Sequence, residues 1–377
     1  MNVLHVYSGN LFGGIESILA TLARHRGVCP HVNAEVALCF EGRLSRELAA
    51  SGTRVHQLGE VRVSRPPSVA RARRALMRLL DSQRYDAIVL HAAWSHALFA
   101  SVARKRDVPI ALWLHDVWAG RHWTERWARR VAPDGLICNS RFTESAARAA
   151  FPGIATAVVY APVDMPASPT TVDERRSVRD ELSTPNTAVV VVQASRLEAW
   201  KGHEVLVDAL ARVAQRDWIW WQIGGPQRPR EVAYLESLSA RVRRRGIAGR
   251  VRFIGQRADV PRILGAADVH CQPNVEPEPF GVAFVEALAA GLPVVTTGIG
   301  GATEIVDDTC GRLVAPRDPQ ALASALSSLI ADRALRMRLG GRGLARAKAL
   351  CDPATQIRRL VEALDGIVRK PATSLQR

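Results

Sequence analysis

The stretch that decides the fold is Glu278-Pro279-Phe280-Gly281, which continues without a gap into the apolar segment VAFVEALAAG at 282–291. Its two carboxylates, Glu278 and Glu286, lie eight residues apart, the first in a Pro/Gly loop and the second in a segment that reads as a buried helix. An ionised carboxylate is rarely buried without a partner. Eight helical residues rise about 12 Å, and a helix N-terminus favours an anion. The pattern therefore predicts a ligand with hydroxyl groups at both ends and a charged middle.

This stretch resembles the E-x7-E signature of glycosyltransferase family 4, the retaining enzymes of GT-B fold. The resemblance implies that Glu278 contacts hydroxyls of the transferred sugar and that Glu286 holds the ribose of a nucleotide-sugar donor. Phe280 and Gly281 would then belong to the donor-binding loop. The alternative is an acidic loop that caps a helix, with Glu286 paired to a nearby arginine.

A second segment, Ser195–Gly202 (SRLEAWKG), follows the strand that opens the second half of the chain. Ligands of parallel sheets bind beyond the carboxyl ends of the strands, and Arg196 and Lys201 both fall there. Two cations from one loop can neutralise a diphosphate. The segment resembles the G-R-L…K-G stretch of family 4, with Ser195 at the usual glycine. The resemblance implies that Arg196 and Lys201 bind the donor diphosphate and stabilise it as it leaves.

Two further segments resemble donor-binding parts of the family. Gly255 and Gln256 close an apolar strand, where their backbone would approach the nucleobase. Gly13 and Gly14 open a helix in a G-G-x-E pattern, which lies close to the donor phosphates in the family.

His115-Asp116 closes an apolar strand in the first half of the chain, and a similar pair lies beside the transferred sugar in the family. The resemblance implies that His115 hydrogen-bonds the sugar and that Asp116 orients His115 or approaches the acceptor. No D-x-D pair stands out as a metal clamp. We therefore expect neither a metal nor a cofactor, with Arg196, Lys201 and the helix N-terminus supplying the positive charge.

Alternation of apolar strands with helical segments predicts an α/β protein with parallel sheets. Three prolines within 161–171 mark a linker. The expected domains are 1–168, completed by a C-terminal helix at about 352–368, and 169–351. The resemblance extends over nearly the whole chain and implies two Rossmann-like domains that face an interdomain cleft. Seven strands are predicted in the first half and six in the second: 3–7, 34–40, 55–58, 87–91, 110–115, 135–139 and 155–160, then 188–194, 219–223, 251–254, 269–272, 293–297 and 313–315.

The chain has 377 residues, 47% of them hydrophobic, and no apolar run of the roughly 18 residues that a membrane span needs. It starts directly as a strand, without a basic region or cleavage site, so we expect a cytoplasmic protein. Its six cysteines have no metal-ligand spacing, so free thiols are expected.

The net charge of +15 suits nucleic acid, an anionic membrane or a phosphorylated ligand. The arginines are not organised around stacking aromatics, so nucleic acid is not expected. Trp118, Trp123 and Trp127 lie among arginines, which suits peripheral attachment to an inner membrane leaflet. Core tryptophans beside solvated arginines are the alternative.

These residues together predict a metal-independent retaining glycosyltransferase. Its donor would be a UDP- or GDP-linked sugar, and its acceptor an unknown hydroxyl, with a lipid-linked acceptor of polysaccharide or glycolipid synthesis as one option. A nucleotide-sugar epimerase or phosphorylase of the same fold, and a non-catalytic basic binding protein, remain as alternatives.

Overall fold

The computed structural model describes residues 1–9 and 13–369. Within them the chain divides into two compact units, Met1–Pro162 with the C-terminal segment from Pro353, and Val163–Asp352. We call them unit 1 and unit 2. The predicted α/β class is confirmed, because each unit is built on one parallel sheet covered by helices.

Unit 1 contains seven parallel strands in the order β3-β2-β1-β4-β5-β6-β7. They are β1 Asn2–Tyr7, β2 Asn33–Leu38, β3 Val55–Gln57, β4 Ala87–His91, β5 Ile110–Leu114, β6 Gly135–Cys138 and β7 Thr156–Val158. The helices that precede unit 2 are α1 Gly14–Arg24, α2 Arg43–Ala50, α3 Pro66–Ser82, α4 Ala92–Arg104, α5 Trp123–Ala128 and α6 Arg141–Ala150.

Unit 2 contains six parallel strands in the order β10-β9-β8-β11-β12-β13. They are β8 Val189–Ala194, β9 Trp218–Ile223, β10 Val251–Gly255, β11 Val269–Gln272, β12 Val294–Thr297 and β13 Gly311–Val314. Its helices are α7 Val172–Glu181, α8 His203–Leu210, α9 Pro229–Arg244, α10 Val260–Gly265, α11 Val282–Ala289, α12 Ala302–Ile305, α13 Pro319–Ala331 and α14 Arg333–Cys351.

The strand sequences explain why both sheets are buried on two faces. Every residue of β4 and β5 is buried, as is every residue of β9 and β12. Strands covered on both faces read as continuous apolar runs, and this is why their number could be predicted from sequence. The structure shortens several of them at their ends: β2 ends at Leu38 and β7 spans only Thr156–Val158, the residues that pair with the neighbouring strand.

The last helix, α15 Pro353–Val368, belongs to unit 1. It contacts α1 and strands β4 to β6, and its Ile367 lies so close to Gly135 that a Cβ there would come within 2.5 Å. The backbone N–H of Tyr160 donates to Oε1 of Gln356 at 3.1 Å. The chain thus leaves unit 1 at Pro162 and returns to it at Pro353.

Both sheets reverse their strand order at one point, between β1 and β4 in unit 1 and between β8 and β11 in unit 2. At such a switch point the loops after the two strands diverge and leave a crevice outside the carboxyl ends. Tyr7 and His91 end the two strands at the first switch point, and Ala194 and Gln272 end those at the second.

All six cysteines are free and buried, as expected. Among the described residues, no helix is both long and apolar enough to cross a bilayer.

Candidate active site

The switch point of unit 2 is organised around the carboxylate of Glu278. Its Oε2 atom accepts hydrogen bonds from Nζ of Lys201 at 2.6 Å, from Nδ2 of Asn274 at 2.7 Å and from Nε2 of Gln272 at 3.3 Å. The Glu278 and Lys201 side chains are only 11% and 12% exposed. No described residue donates a hydrogen bond to Oε1. The carboxylate is therefore held through Oε2, and Oε1 is the oxygen that can accept from a ligand.

Lys201 is held in place by the loop that carries it. Its ammonium lies over the ring of Trp200, 3.8 Å from the centroid, and its backbone C=O accepts from Nε2 of Gln193 at 3.0 Å. Gly202, which follows, has φ +75° and packs so tightly that a Cβ would lie 1.8 Å from the carbonyl oxygen of Pro273. Only glycine combines that φ with that contact. The loop after β8 is thereby fastened to the loop after β11.

Arg196 lies on the same loop but does not share the Glu278 carboxylate. Its guanidinium pairs with Oε2 of Glu198 at 3.1 Å, and the indole N–H of Trp200 donates to the same oxygen at 3.1 Å. Arg196 remains 36% exposed, so its charge faces solvent on one side. The structure therefore separates the two predicted diphosphate-binding cations, since Lys201 is paired with Glu278 and Arg196 with Glu198.

Glu286 lies in the middle of α11 and is half-buried. Burial raises the pKa of its carboxyl to about 7, and the negative charge of Asp164 adds to the shift. The alternative expectation of an arginine partner has no support, because no salt bridge involves Glu286 in the part of the chain that the structure describes. An ionised Glu286 thus lacks charge compensation and gains from any hydroxyl that donates to it.

The loop before α11 is set by Gly281 and Phe280. Gly281 has φ +110°, and a Cβ there would lie 2.3 Å from the Phe284 ring. Phe280 is 2% exposed, so its buried side chain anchors the loop.

The strand end predicted to face a nucleobase lies beside the Gly224 turn. The N–H of Gly224 donates to the carbonyl oxygen of Gly255 at 2.8 Å, and a Cβ on Gly225 would lie 3.0 Å from the N–H nitrogen of Gln256. The carbonyl of Gly255 already accepts a hydrogen bond within the fold.

Beside the switch point of unit 1 lies His115, which is buried and follows β5, the neighbour of β4. Nε2 of His115 lies 3.0 Å from Nδ1 of His91, and Nε2 of His91 lies 2.9 Å from Nδ1 of His5. Burial lowers the pKa of His115 to about 3 and that of His5 to about 4, and it lowers the pKa of His91 well below its usual value. The three imidazoles are therefore neutral at physiological pH.

Asp116 is exposed next to His115, and Gly13 and Gly14 begin α1. The N–H of Gly13 donates to Oε2 of Glu16 at 2.9 Å. Glu16 also hydrogen-bonds Tyr7, and burial together with the charges of Glu16 and Asp116 raises the pKa of the Tyr7 hydroxyl. Tyr7 and Glu16 thus interact with two of the predicted residues, Gly13 and Asp116.

Sequence reasoning missed several residues of both clusters: Gln272, Asn274, Glu198 and Trp200 in unit 2, and His5, His91, Tyr7 and Glu16 in unit 1. The signal for Gln272, His91 and Tyr7 was position, since each closes an apolar strand and so lies at the carboxyl edge of a parallel sheet. No group of three or more His, Cys, Asp and Glu side chains that could hold a metal ion occurs within residues 1–9 and 13–369.

Comparison with known families gives two matches. Residues 12–165 match the model of Glycosyltransferase Family 4, and residues 188–332 match Glycosyl transferases group 1. Each match falls on one of the two parallel sheets.

Two relatives illustrate the similarity in sequence. A D-inositol 3-phosphate glycosyltransferase of Jonesia denitrificans is 35% identical over 202 residues, which are 51% of this chain and 45% of the relative. The lipopolysaccharide core biosynthesis glycosyltransferase LpsE of Rhizobium meliloti is 34% identical over 166 residues, 44% of this chain and 46% of the relative. The chain thus matches a little under half the length of each relative.

Solved structures extend the likeness to the whole chain. Anabaena Alr3699/HepE, crystallised in complex with UDP-glucose, superposes with a TM-score of 0.86 at 27% identity and covers 97% of this chain and 100% of that one. The lipopolysaccharide glycosyltransferase WaaG, at 16% identity, shares the fold with a TM-score of 0.68.

Proposed function

We propose that this chain, a glycosyltransferase with a family 4 domain followed by a group 1 domain, moves a sugar from a nucleotide-sugar donor to a hydroxyl acceptor with retention of configuration. The observation that carries the proposal is the Glu278 carboxylate, held by Lys201, Asn274 and Gln272 at the switch point of unit 2. UDP-glucose is the first donor to test, because HepE was crystallised with it.

In the proposed complex Glu278 positions the sugar. Its Oε2 is saturated by three donors, so Oε1 is the atom that accepts from a sugar hydroxyl. A carboxylate paired to an ammonium at 2.6 Å is a weak nucleophile, which disfavours a double displacement through Glu278. We propose instead that the acceptor hydroxyl attacks the face that the diphosphate leaves, with a phosphate oxygen taking its proton.

The leaving diphosphate needs positive charge, which we assign to Arg196, Lys201 and the N-terminus of α11. Arg196 is exposed enough to turn toward a phosphate, and its pairing with Glu198 keeps it nearby. Electrostatic stabilisation of this kind lowers the free energy of the transition state. The contribution of one hydrogen-bond donor is on the order of 3 kcal/mol. At the other end of the nucleotide, Glu286 accepts hydrogen bonds from the ribose hydroxyls.

The two carboxylates therefore predict different kinetic defects. Glu278→Gln should lower kcat with little change in KM, because its contact strengthens as the sugar changes shape. Glu286→Ala should mainly raise KM, because a ribose contact is equal in ground and transition states. Wild-type kinetics in both variants would overturn the assignment.

The test of function measures nucleotide release from a panel of UDP- and GDP-sugars, with and without acceptor. The relatives' names direct the choice of acceptors to inositol phosphate and lipopolysaccharide core fragments. Acceptor-dependent release, with the product anomer read by NMR, supports the proposal. Three outcomes would contradict the proposal. An epimerised donor would indicate an epimerase, and release of nucleotide that depends on inorganic phosphate would indicate a phosphorylase. Tight donor binding without turnover would indicate a non-catalytic binding protein.

We also propose that unit 1 attaches to anionic membranes, consistent with an acceptor of the cell envelope. Several arginines in and around α3 and α5 are exposed. The two helices are in contact, because the guanidinium carbon of Arg73 on α3 lies 5.5 Å from the centroid of the Trp127 ring on α5. Trp123 is 43% exposed, whereas Trp118 is buried in the core and Trp127 is half-buried, so Trp123 is the best placed of the three to act as an interfacial anchor. The exposed arginines are Arg71, Arg74, Arg78, Arg121, Arg126, Arg129 and Arg130.

Vesicle co-sedimentation tests the attachment. The protein should pellet with anionic vesicles at low salt, be released at high salt, and ignore neutral vesicles. Changing the three exposed α3 arginines (Arg71, Arg74 and Arg78) to glutamine should abolish pelleting, whereas the same change at three exposed α14 arginines should not (Arg333, Arg338 and Arg342). If wild-type protein stays in the supernatant with anionic vesicles, the attachment proposal is wrong.

A further inference from the structure

Three histidines from three strands of unit 1 form one hydrogen-bonded chain. His5 lies on β1, His91 ends β4 and His115 follows β5. Their separations of 2.9 Å and 3.0 Å are those of ordinary hydrogen bonds, and the His91 and His115 rings lie nearly parallel with centroids 5.2 Å apart. The chain exists because β1, β4 and β5 are neighbours in the sheet although they are far apart in sequence.

A neutral imidazole carries a single N–H, and this makes the chain directional. If Nδ1 of His5 donates to His91, then Nδ1 of His91 donates to Nε2 of His115, and Nδ1 of His115 must carry its proton. If the direction is reversed, Nε2 of His115 is the donor and Nδ1 of His115 is a bare acceptor. The tautomer of each ring thus determines the other two.

One end of the chain is unfilled. Nδ1 of His115 is buried and has no hydrogen-bond partner among the described residues. A buried polar atom without a partner is costly unless a ligand completes it. A hydroxyl is the matching group, because it can accept from an N–H or donate to a bare nitrogen.

We propose that His5 and His91 are positioning residues that fix the tautomer of His115, and so decide whether its Nδ1 donates to or accepts from a hydroxyl of the transferred sugar. This inference rests on the proposed function and on the contact between His115 and the transferred sugar that the family resemblance implies. The Trp113 ring stacks on both His91 and His115, with a centroid distance of 5.2 Å in each case, and so restrains the orientation of the two imidazole rings. His5 acts only through His91.

The test uses His5→Phe and His91→Phe in the full-length chain. Each should lower kcat by on the order of 10- to 100-fold with little change in KM, as expected when a catalytic group is misplaced. His5→Asn should recover much of the rate, because its side-chain amide can replace Nδ1 of His5. His96→Phe is the matched control, since His96 is also buried in unit 1 but bonds the carbonyl of Val131 outside the chain.

Nitrogen-15 NMR of the imidazoles gives a readout independent of turnover. Wild type and the His96 variant should show one neutral tautomer at His115, and both His5→Phe and His91→Phe should shift that tautomer population. An unchanged His115 spectrum in both variants, or the same loss of rate in His96→Phe, would overturn the inference. If wild type itself transfers no sugar, the proposed function fails, while the NMR result still decides whether the chain sets the tautomer.

Discussion

Removing the ammonium of Lys201 tests the central contact of the unit 2 site. Lys201→Met keeps most of the aliphatic stem and deletes the charge that lies 2.6 Å from Oε2 of Glu278. Because both side chains are nearly buried, the variant leaves a carboxylate without its counter-ion in a poorly solvated position. Breaking a buried pair in this way costs about 3–5 kcal/mol.

The structure places the expected cost at the lower end of that range. Asn274 and Gln272 still donate to the same oxygen, so Glu278 does not lose all its partners. We expect the free energy of unfolding to fall by about 3 kcal/mol, which lowers Tm by roughly 6–12 °C for a domain of 150–250 residues. Calorimetry of the full chain measures the shift.

The double variant Lys201→Met/Glu278→Gln separates stability from catalysis. It removes both charges, so stability should return to within about 1 kcal/mol of wild type, whereas sugar transfer should stay lost. Arg312→Met is the control, since its pair with Asp308 is long at 4.0 Å and the Asp308 side chain is 97% exposed, and such surface pairs contribute about 0–1 kcal/mol. If Lys201→Met is as stable as this control, the Lys201–Glu278 pair does not stabilise the site as argued.

Two further results are expected from the donor-binding groups. UDP-glucose should bind about tenfold more tightly at pH 8 than at pH 6, because the raised pKa of Glu286 leaves its carboxyl mostly protonated at the lower pH, and titration calorimetry should find this dependence lost in Glu286→Gln. Arg196→Ala should cost at least about 2 kcal/mol of transition-state stabilisation in kcat/KM, and turnover should survive EDTA, so strict dependence on a divalent ion would show that the diphosphate charge is neutralised differently.

The sheets could be predicted from sequence because buried strands must be apolar. The apolar runs of the sequence predict all six strands of unit 2 and all seven strands of unit 1, although β7 is only three residues long in the structure. The E-x7-E pattern likewise located Glu278 and Glu286, since both lie in one short segment.

The side-chain partners of these residues could not be predicted from the sequence, whether they lie nearby in the chain or far away. Gln272 and Asn274 reach Glu278 only because the chain turns back after β11, and nothing in their spacing shows that turn. His5 and His91 are 86 positions apart and meet only because β4 pairs with β1. The strand order had to be known before the contact between His5 and His91 could be inferred.

The two switch points differ in charge, and this difference indicates which residue makes donor binding depend on pH. Unit 2 presents an ion pair and a carboxyl group with a pKa of about 7, whereas the buried imidazoles of His5 and His115 in unit 1 stay neutral down to about pH 4. Histidine is ordinarily the first suspect for a transition near neutral pH. Here burial removes His115 from that range, so a transition near pH 7 in donor binding belongs to Glu286. A transition that survives in Glu286→Gln but vanishes when His115 is replaced would reverse this assignment.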